Sequence, residues 1–554
     1  MKFIEFAEIC EKLESVTSNL EMARIISKFL KSADNLDIVT RFIEGSIFPA
    51  WSSEELGIGP SLLYDAIAMA TGVKKRQVKA GVRELGDAGL ACEKLCEKKM
   101  QRPLFAGELT VRHVYKSFEA ISRAGGKASQ KKKTRILADL FGSARPKEAR
   151  YIARLVLEEL RIGVGEGTVR DAIAQAFDVS KDEVERAYML TNDLGLVAVT
   201  AKKGAKELRR LDIELGRPVK MMLAQVAKDV ESTIEEMGEV ALEYKYDGAR
   251  VQIHKTNSDI LLYSRRLENI TKSLPDVVDM LKDGVSFKQA ILEGEVIAIG
   301  EDGKPRPFQD ILRRFRRKYE VKRIAREIPL HLSLFDVLFL DGEGLIHEPL
   351  VERRRILEKS LKKDHAPMIE VSPQTITSDI SVAERIYKGA ISAGHEGVLA
   401  KNPKSMYTPG KRGKNWLKVK PVAETLDLVV VGGMWGEGRR ANLIGSYSLA
   451  CRNPTMDSLL DIGRVGTGIT DEQLVELTEL FKDLVLSDVE MDIQIKPEIV
   501  FEIGYEEIQR SSNYKSGFAL RFPRLVRVRE DKSVKDADTI ERVRELYKKQ
   551  KGQT

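Results

Sequence analysis

The chain has 554 residues, 43% apolar and 32% charged. That excludes a disordered, collagen-like or low-complexity protein and predicts three or four domains at about 150 residues each. Lys and Arg number 91 against 84 Asp and Glu, a net charge of +7, so a polyanion site has to come from local clusters of cations.

The first sixteen residues, MKFIEFAEICEKLESV, read as an amphipathic helix with acids inside it and not as a signal peptide. No run of 18 apolar residues occurs, so a cytoplasmic, intracellular protein with no membrane partner is expected, and a monomer. Cys10, Cys92, Cys96 and Cys451 are too few for a disulfide scaffold. Cys92 and Cys96 stand four apart in a helical pattern with no histidine nearby, which is not a zinc motif.

Residues 1–215 read almost entirely as helix, with apolar residues three and four apart at Phe3, Phe6, Ile9 and Leu13 and again at Ile152, Leu155, Val156 and Leu160. A weak repeat runs through this region. Gly57-Ile58-Gly59 followed by Asp65-Ala66-Ile67-Ala68 recurs 106 residues later as Gly163-Val164-Gly165 and Asp171-Ala172-Ile173-Ala174. A glycine turn that opens a helix suits phosphate. Ordinary helix starts of a duplicated helix–turn–helix unit give the same pattern, and both readings stand.

Pro218 closes the helical region, and residues 239–264 then alternate with period two. In Ala249-Arg250-Val251-Gln252-Ile253-His254 the apolar side chains point one way and the polar ones the other, with turn signals at Asp247-Gly248 and Asn257-Ser258-Asp259. Short strands with glycine turns from 422 to 535 suit a small barrel of the oligonucleotide-binding type, followed by a helix over 537–551. Pro421-Val422-Ala423-Glu424 is the expected hinge. The predicted fold is multidomain: an all-α domain at 1–215, an α+β domain at 216–421 and a β-barrel domain at 422–554.

No G-x-x-x-x-G-K-[ST] loop is present, and Gly125-Gly126-Lys127 lacks its earlier glycine; no G-x-G-x-x-G opens a helix after a strand. A nucleotide, if used, is held another way. In Glu243-Tyr244-Lys245-Tyr246-Asp247-Gly248-Ala249-Arg250 a lysine sits at a strand end before a turn. Tyr263-Ser264-Arg265-Arg266, Leu292-Glu293-Gly294-Glu295, Glu396-Gly397-Val398-Leu399-Ala400-Lys401 and Trp416-Leu417-Lys418-Val419-Lys420 follow, the last with two lysines on one strand face.

Together these segments resemble the covalent nucleotidyltransferase superfamily, and within it the ATP-dependent DNA ligases of the replicative, archaeal type. K-x-D-G-x-R stands at Lys245, Asp247, Gly248 and Arg250. Arg265, Glu295, Phe335, Glu396, Lys418 and Lys420 follow in the family's order, and Arg527-Val528-Arg529-Glu530-Asp531-Lys532 matches its R-x-D-K element. The helical region and Ala519-Leu520-Arg521-Phe522-Pro523-Arg524 carry the likeness over the whole chain.

The resemblance implies that residues 1–215 bind DNA, 216–421 carry adenylation and 422–554 form an OB-fold domain. It implies that Lys245, as the neutral amine, attacks the α-phosphorus of ATP and forms a lysyl-AMP. An amine is protonated in water at neutral pH, and partial burial with nearby cations favours loss of that proton; Lys418, Lys420, Arg265 and a divalent metal are implied to lie near. Glu243 would read the adenine amino group and Phe335 stack on the base. Arg250 and Glu295 would hold the ribose, with Arg265 and Arg412 also on the nucleotide. Lys418 and Lys420 would grip the α-phosphate and stabilise its charge. Arg529 and Lys532 would orient the pyrophosphate, with the barrel closing over the site. Glu396, with Glu295, would hold magnesium or manganese. Glu293 stands where many ligases have aspartate, and the family pattern gives that position an outer role in metal binding.

For partners, the resemblance implies nicked duplex DNA, encircled through backbone contacts without base readout. Leu312-Arg313-Arg314-Phe315-Arg316-Arg317-Lys318-Tyr319 holds five cations, and Ser129-Gln130-Lys131-Lys132-Lys133 with Arg135 is a second cluster. Each reads as a phosphate-contacting surface or as a solvated helix face. Gln101, Leu104 and Phe105 look like a short clamp-binding peptide, so a sliding clamp is a candidate partner; a chance Gln with an apolar pair reads the same. An RNA ligase or a capping guanylyltransferase shares the lysine chemistry but usually lacks a large helical domain. An NAD-using ligase carries a four-cysteine zinc module not found here. A scaffold without catalysis would have no need of Lys245, Glu396, Lys418 and Lys420 together.

Overall fold

The helical region begins with α1 (Phe3–Glu14), α2 (Asn19–Ser32) and α3 (Leu36–Glu44). It continues with α4 (Pro60–Thr71), α5 (Lys75–Leu85), α6 (Ala88–Glu97), α7 (Val111–Ser122), α8 (Ser129–Ser143) and α9 (Pro146–Val156). It closes with α10 (Glu166–Phe177), α11 (Lys181–Thr191), α12 (Leu194–Ala201) and α13 (Ala205–Arg209). The repeat extends over three helices: α10, α11 and α12 each start 106 residues after α4, α5 and α6. The computed structural model describes residues 1–49, 51–52, 54–97, 108–126, 128–300, 303–306, 308–315, 321–362, 368–421, 424–436, 443–489 and 491–550. None of the described helices is long and apolar enough to cross a membrane.

The two copies exchange partners. α10 packs on α2, and its counterpart α4 packs on α8; α12 packs on α3, and its counterpart α6 packs on α9. The exchange is locked by matching contacts. Asp193 accepts the Gly195 and Leu196 N–H groups at the start of α12, and Arg41 of α3 donates to both its oxygens at 2.9 and 2.8 Å. Asp87 likewise accepts the Leu90 N–H, and Arg154 of α9 donates to it at 3.1 to 3.2 Å. Each aspartate caps a helix and neutralises an arginine of the opposite copy. The arginines pass so close that only glycine fits beneath them. A Cβ on Gly195 would stand 2.5 Å from the Asp37 carbonyl oxygen and 2.9 Å from Arg41 Nε. A Cβ on Gly89 would stand 2.7 Å from the Arg150 carbonyl oxygen and 2.8 Å from Arg154 Cγ.

The chain divides into two compact units, Met1–Ile386 with Leu399–Lys418 and Tyr387–Val398 with Val419–Thr554. After the helices come β1 (Leu223–Val226), β2 (Val240–Lys245), β3 (Ala249–Lys255), β4 (Ile260–Ser264), β5 (Ala290–Ala298) and β6 (Leu330–Leu340). Then follow β7 (Glu343–Gly344), β8 (Ile369–Val371), β9 (Gln374–Thr377), β10 (Gly397–Lys401) and β11 (Arg412–Val419). Among the described residues they form two sheets, one in the order β1-β11-β10-β2-β9 and one in the order β4-β3-β5-β6-β7 with β8 on β6. The turn at Asp247-Gly248 therefore does not join a hairpin. β2 lies in the first sheet and β3 in the second, and Lys245 ends its strand where the chain changes sheets. Val251, Ile253, Leu292, Val296, Leu332 and Leu334 build the core on one face of the second sheet. The polar residues of β3 do not face water: Gln252 and His254 are fully buried on the other face.

In the second unit β12 (Thr425–Trp435), β13 (Ile444–Asn453), β14 (Ser458–Val465), β15 (Val485–Val489), β16 (Asp492–Ile495) and β17 (Val500–Gly504) share an antiparallel, curled sheet with β20 (Arg524–Val528). β12 is long enough to pair β13 on one side and both β16 and β17 on the other. Between β17 and β20, β18 (Glu507–Arg510) and β19 (Phe518–Arg521) form a separate pair. Tyr447, Phe481 and Phe501 meet in its core with centroids 5.0 to 5.8 Å apart. The last helix is Ile540–Gln550.

The arginine clamps reverse the usual effect of replacing a helical glycine. Gly89→Ala and Gly195→Ala should each destabilise the first unit by about 2 kcal/mol, through overpacking. Gly142→Ala, in α8 with nothing within 4 Å of its would-be Cβ, should stabilise it by up to about 1 kcal/mol. Urea midpoints of the three variants, followed by far-UV circular dichroism, distinguish them; equal shifts would refute the clamp.

Candidate active site

Lys245 is half-buried at the end of β2. The turn after it is pressed against β5: a Cβ on Gly248 would stand 2.5 Å from Glu295 Cγ and 2.8 Å from the Val296 carbonyl oxygen. Glu295 lies opposite Arg250 across the β3–β5 ladder. The turn that follows Lys245 thus packs directly on Glu295, the cross-strand neighbour of Arg250, and only glycine at 248 permits that approach.

Glu243, one residue before Tyr244 on β2, is 2% exposed. Lys401 Nζ donates to its Oε2 at 2.6 Å and Gln374 Nε2 to its Oε1 at 2.7 Å. Lys401 is fully buried, with its ammonium 4.6 Å from the Phe335 ring centroid and 4.5 Å from that of Trp416. The Arg250 guanidinium lies 5.2 Å from the Phe335 ring and 5.5 Å from the Trp416 ring. Phe335 and Trp416 meet edge to face at 6.3 Å. Two cations on ring faces, one of them paired with a buried carboxylate, make an electrostatically dense aromatic site.

Arg250 donates to Glu293 Oε2 at 2.6 Å and to the Met222 carbonyl at 2.6 Å. Glu293 is fully buried, and its Oε1 accepts from Gln252 at 3.2 Å and from the Tyr407 hydroxyl at 3.0 Å. Burial, with the Glu293 charge beside it, pushes the Tyr407 phenol well up, so it stays protonated and donates. The outer metal role expected for Glu293 is therefore corrected: its oxygens are taken up by three protein donors inside the core. His254, the next polar residue on β3, is pushed down to about 3 by burial.

Lys418 is half-buried on β11, aligned with Val226 of β1, and its carbonyl accepts the Ala227 N–H. Arg412 is exposed at the start of β11, and Arg265 is exposed just beyond β4. In the second unit Lys420 Nζ lies 2.7 Å from Glu396 and 3.6 Å from Glu506. Arg529 reaches both oxygens of Asp427 at 3.0 Å, and Lys532 donates to the same carboxylate.

Two of the cations in the basic clusters are bonded within the fold. Arg314 is 1% exposed and pairs with Asp276 and the Ile328 carbonyl. Lys133 donates to the Leu56 carbonyl at 2.6 Å, whereas Lys131, Lys132 and Arg135 are exposed. Residues 316–319 of the first cluster, and Gln101, Leu104 and Phe105 of the clamp-like peptide, lie outside the described residues. All four cysteines are buried.

The sequence reading named Glu243, Lys245, Arg250, Glu295 and Phe335 but assigned nothing to Lys401, Gln374, Gln252, Tyr407 or Asp427. Period-two polarity in β3 was the available signal for Gln252. The others show no local pattern, because each is defined by a partner far along the chain.

Three family profiles match in order: DNA ligase N terminus over residues 2–174, ATP dependent DNA ligase domain over 221–420, and ATP dependent DNA ligase C terminal region over 440–532. The DNA ligase of Methanothrix thermoacetophila is 52% identical over 100% of this chain and 99% of its own length. That of Methanococcoides burtonii is 51% identical over 99% of this chain and 100% of its own. The chain belongs to the ATP-dependent DNA ligases. A solved structure named Pmar-Lig_PreS3 shares the fold, with a TM-score of 0.57 at 19% identity over 95% of this chain and 99% of that one. Membership in this ligase family makes the middle segment a nucleotidyltransferase domain, the C-terminal strands an OB-like domain, and nicked DNA the substrate.

The buried imidazole gives the ligase a pH dependence of known sign. Folded His254 binds no proton above about pH 3, whereas the unfolded chain takes one up below about 6.5. Stability is full above pH 6.5 and falls as the pH drops, by at most about 1.4 kcal/mol per unit from this group. His254→Asn keeps an acceptor and should flatten the slope between pH 6.5 and about 4.5, where the carboxylates contribute equally to both proteins. Urea midpoints measured against pH test this; parallel curves for the two proteins would disprove it.

Proposed function

We propose that the chain seals nicks through three transfers that begin on Lys245. Its Nζ attacks the α-phosphorus of ATP; a P–N bond forms, pyrophosphate leaves with the broken P–O bond, and the amine's proton passes to solvent. A 5′-phosphate oxygen at the nick then takes the AMP from Lys245, breaking the P–N bond. The 3′-hydroxyl attacks that 5′-phosphorus, loses its proton and expels AMP. The observation that carries this reading is the junction of the two sheets: Lys245 ends β2 there, and the turn that follows it packs on Glu295, the residue opposite Arg250.

Arg250 and Glu295 hold the ribose in this reading, with Arg265 and Arg412 at the margin of the nucleotide. Glu243 takes the base amino group and Phe335 packs on the base, so the base has to share Glu243 with Lys401 and Gln374 and displace a cation from the Phe335 ring. Lys418 and Lys420 act on the α-phosphate, and Arg529 and Lys532 on pyrophosphate. Lys420, Arg529 and Lys532 each have a carboxylate partner, so phosphate has to displace a carboxylate before they can act. Among the described residues no group of three or more His, Cys, Asp or Glu gathers as a metal site. Magnesium bound with substrate phosphates needs only one or two carboxylates, and Glu295 or Glu396 fits that need. Bound there, it would neutralise phosphate charge. The substrate is nicked duplex DNA in replication, repair and recombination.

Lys245→Ala should take up no label from α-labelled ATP and seal an ordinary nick about 1,000-fold more slowly or worse. It should still seal a nick that already carries the DNA-adenylate. Label on the unaltered chain from GTP or NAD⁺ but not ATP would reject the cofactor, and label on Lys245→Ala would reject the nucleophile.

A further inference from the structure

The polar face of β3 has an occupant that the family chemistry does not require. Arg250, Gln252 and His254 stand two apart on one side of the sheet, and each holds backbone of residues 216–222, the segment leading from the helical region to β1. The Gly216 N–H donates to His254 Nδ1 at 3.0 Å. The Val219 N–H donates to Gln252 Oε1 at 2.8 Å, and Gln252 Nε2 donates back to the Val219 carbonyl at 3.2 Å. Arg250 donates to the Met222 carbonyl, and the Met222 N–H donates to the Tyr407 hydroxyl at 2.9 Å. Gln252 and Tyr407 also both donate to Glu293, the other partner of Arg250.

Arg250 is thus seated between a carboxylate and a linker carbonyl, and the same two side chains, Gln252 and Tyr407, fix both. Without Gln252, two buried backbone groups of Val219 and one oxygen of Glu293 lose a partner, which costs more than the bonds gained in water. The linker then shifts, and the Met222 carbonyl shifts with it. A guanidinium displaced by an ångström loses most of its directional contact with a ligand.

We infer that Gln252 and Tyr407 are positioning residues for Arg250, and that the linker from the helical region is thereby a structural part of the ribose subsite. The inference rests on the ribose role proposed above for Arg250. Its signature is nucleotide discrimination, which a loss of stability alone leaves unchanged.

The test uses the full chain and the initial rate of Lys245 labelling, with ATP compared against 2′-deoxy-ATP. The unaltered chain should prefer ATP. In Gln252→Leu the KM for ATP should rise about fivefold with little change in kcat, and the preference for ATP should shrink about fivefold, the weight of one ordinary hydrogen bond. Tyr407→Phe keeps the ring and removes only the hydroxyl, so it should move both quantities in the same direction even if Gln252→Leu fails to fold. An unchanged preference in Tyr407→Phe and in folded Gln252→Leu, or an equal loss for both nucleotides, overturns the inference alone; an unaltered chain that does not distinguish them overturns the ribose role of Arg250 and the inference with it. An unaltered chain that takes no label from ATP overturns the reading of the site, and this inference with it.

Discussion

The Arg250–Glu293 pair is the constraint from which the middle of the molecule follows. Moving two charges out of water costs several kcal/mol unless their remaining hydrogen-bonding capacity is met inside the protein. Glu293 is fully buried, so it needs donors, and Gln252 and Tyr407 supply them beside Arg250. Those donors have further groups of their own, which the backbone of Val219 and Met222 satisfies. One buried ion pair therefore dictates two further polar side chains and the course of the chain that enters the domain.

The helical region solves a similar problem by duplication. Each copy leaves a helix start with unsatisfied N–H groups, and the capping aspartate would be an unpaired buried charge without the arginine of the other copy. Because Arg41 serves Asp193 and Arg154 serves Asp87, neither copy satisfies its own cap. The two halves stabilise each other, and the close passage of each arginine excludes any side chain at Gly89 and Gly195.

The cations assigned to phosphate follow a different rule. Lys420 faces Glu396 and Glu506, and Arg529 and Lys532 share Asp427. A carboxylate holds each of these cations, so any phosphate that binds one has to compete with it. Charge-assisted bonds to phosphate are strong enough for that exchange. Exchangeable pairs of this kind suit an enzyme that must bind ATP, release pyrophosphate and then accept DNA.

The order of motifs around Lys245 made the ligase chemistry legible, because K-x-D-G-x-R is a local pattern whose turn, glycine and flanking strands lie within eight residues. The 106-residue repeat was legible for the same reason, and it marks three successive helices. Alternation along β3 correctly separated two faces, but it gave no sign that the linker covers the polar one. Arg314 and Lys133 looked like free cations in a run, yet each is bonded within the fold. The chain alone determined which residues stand in the family's motifs, since turn, glycine and strand periodicity are encoded over a few positions. Only the tertiary structure decided which of them are held, and by what. Lys401 meets Glu243 across 158 residues and Tyr407 meets Glu293 across 114, and a buried charge is defined by whatever the fold brings to it.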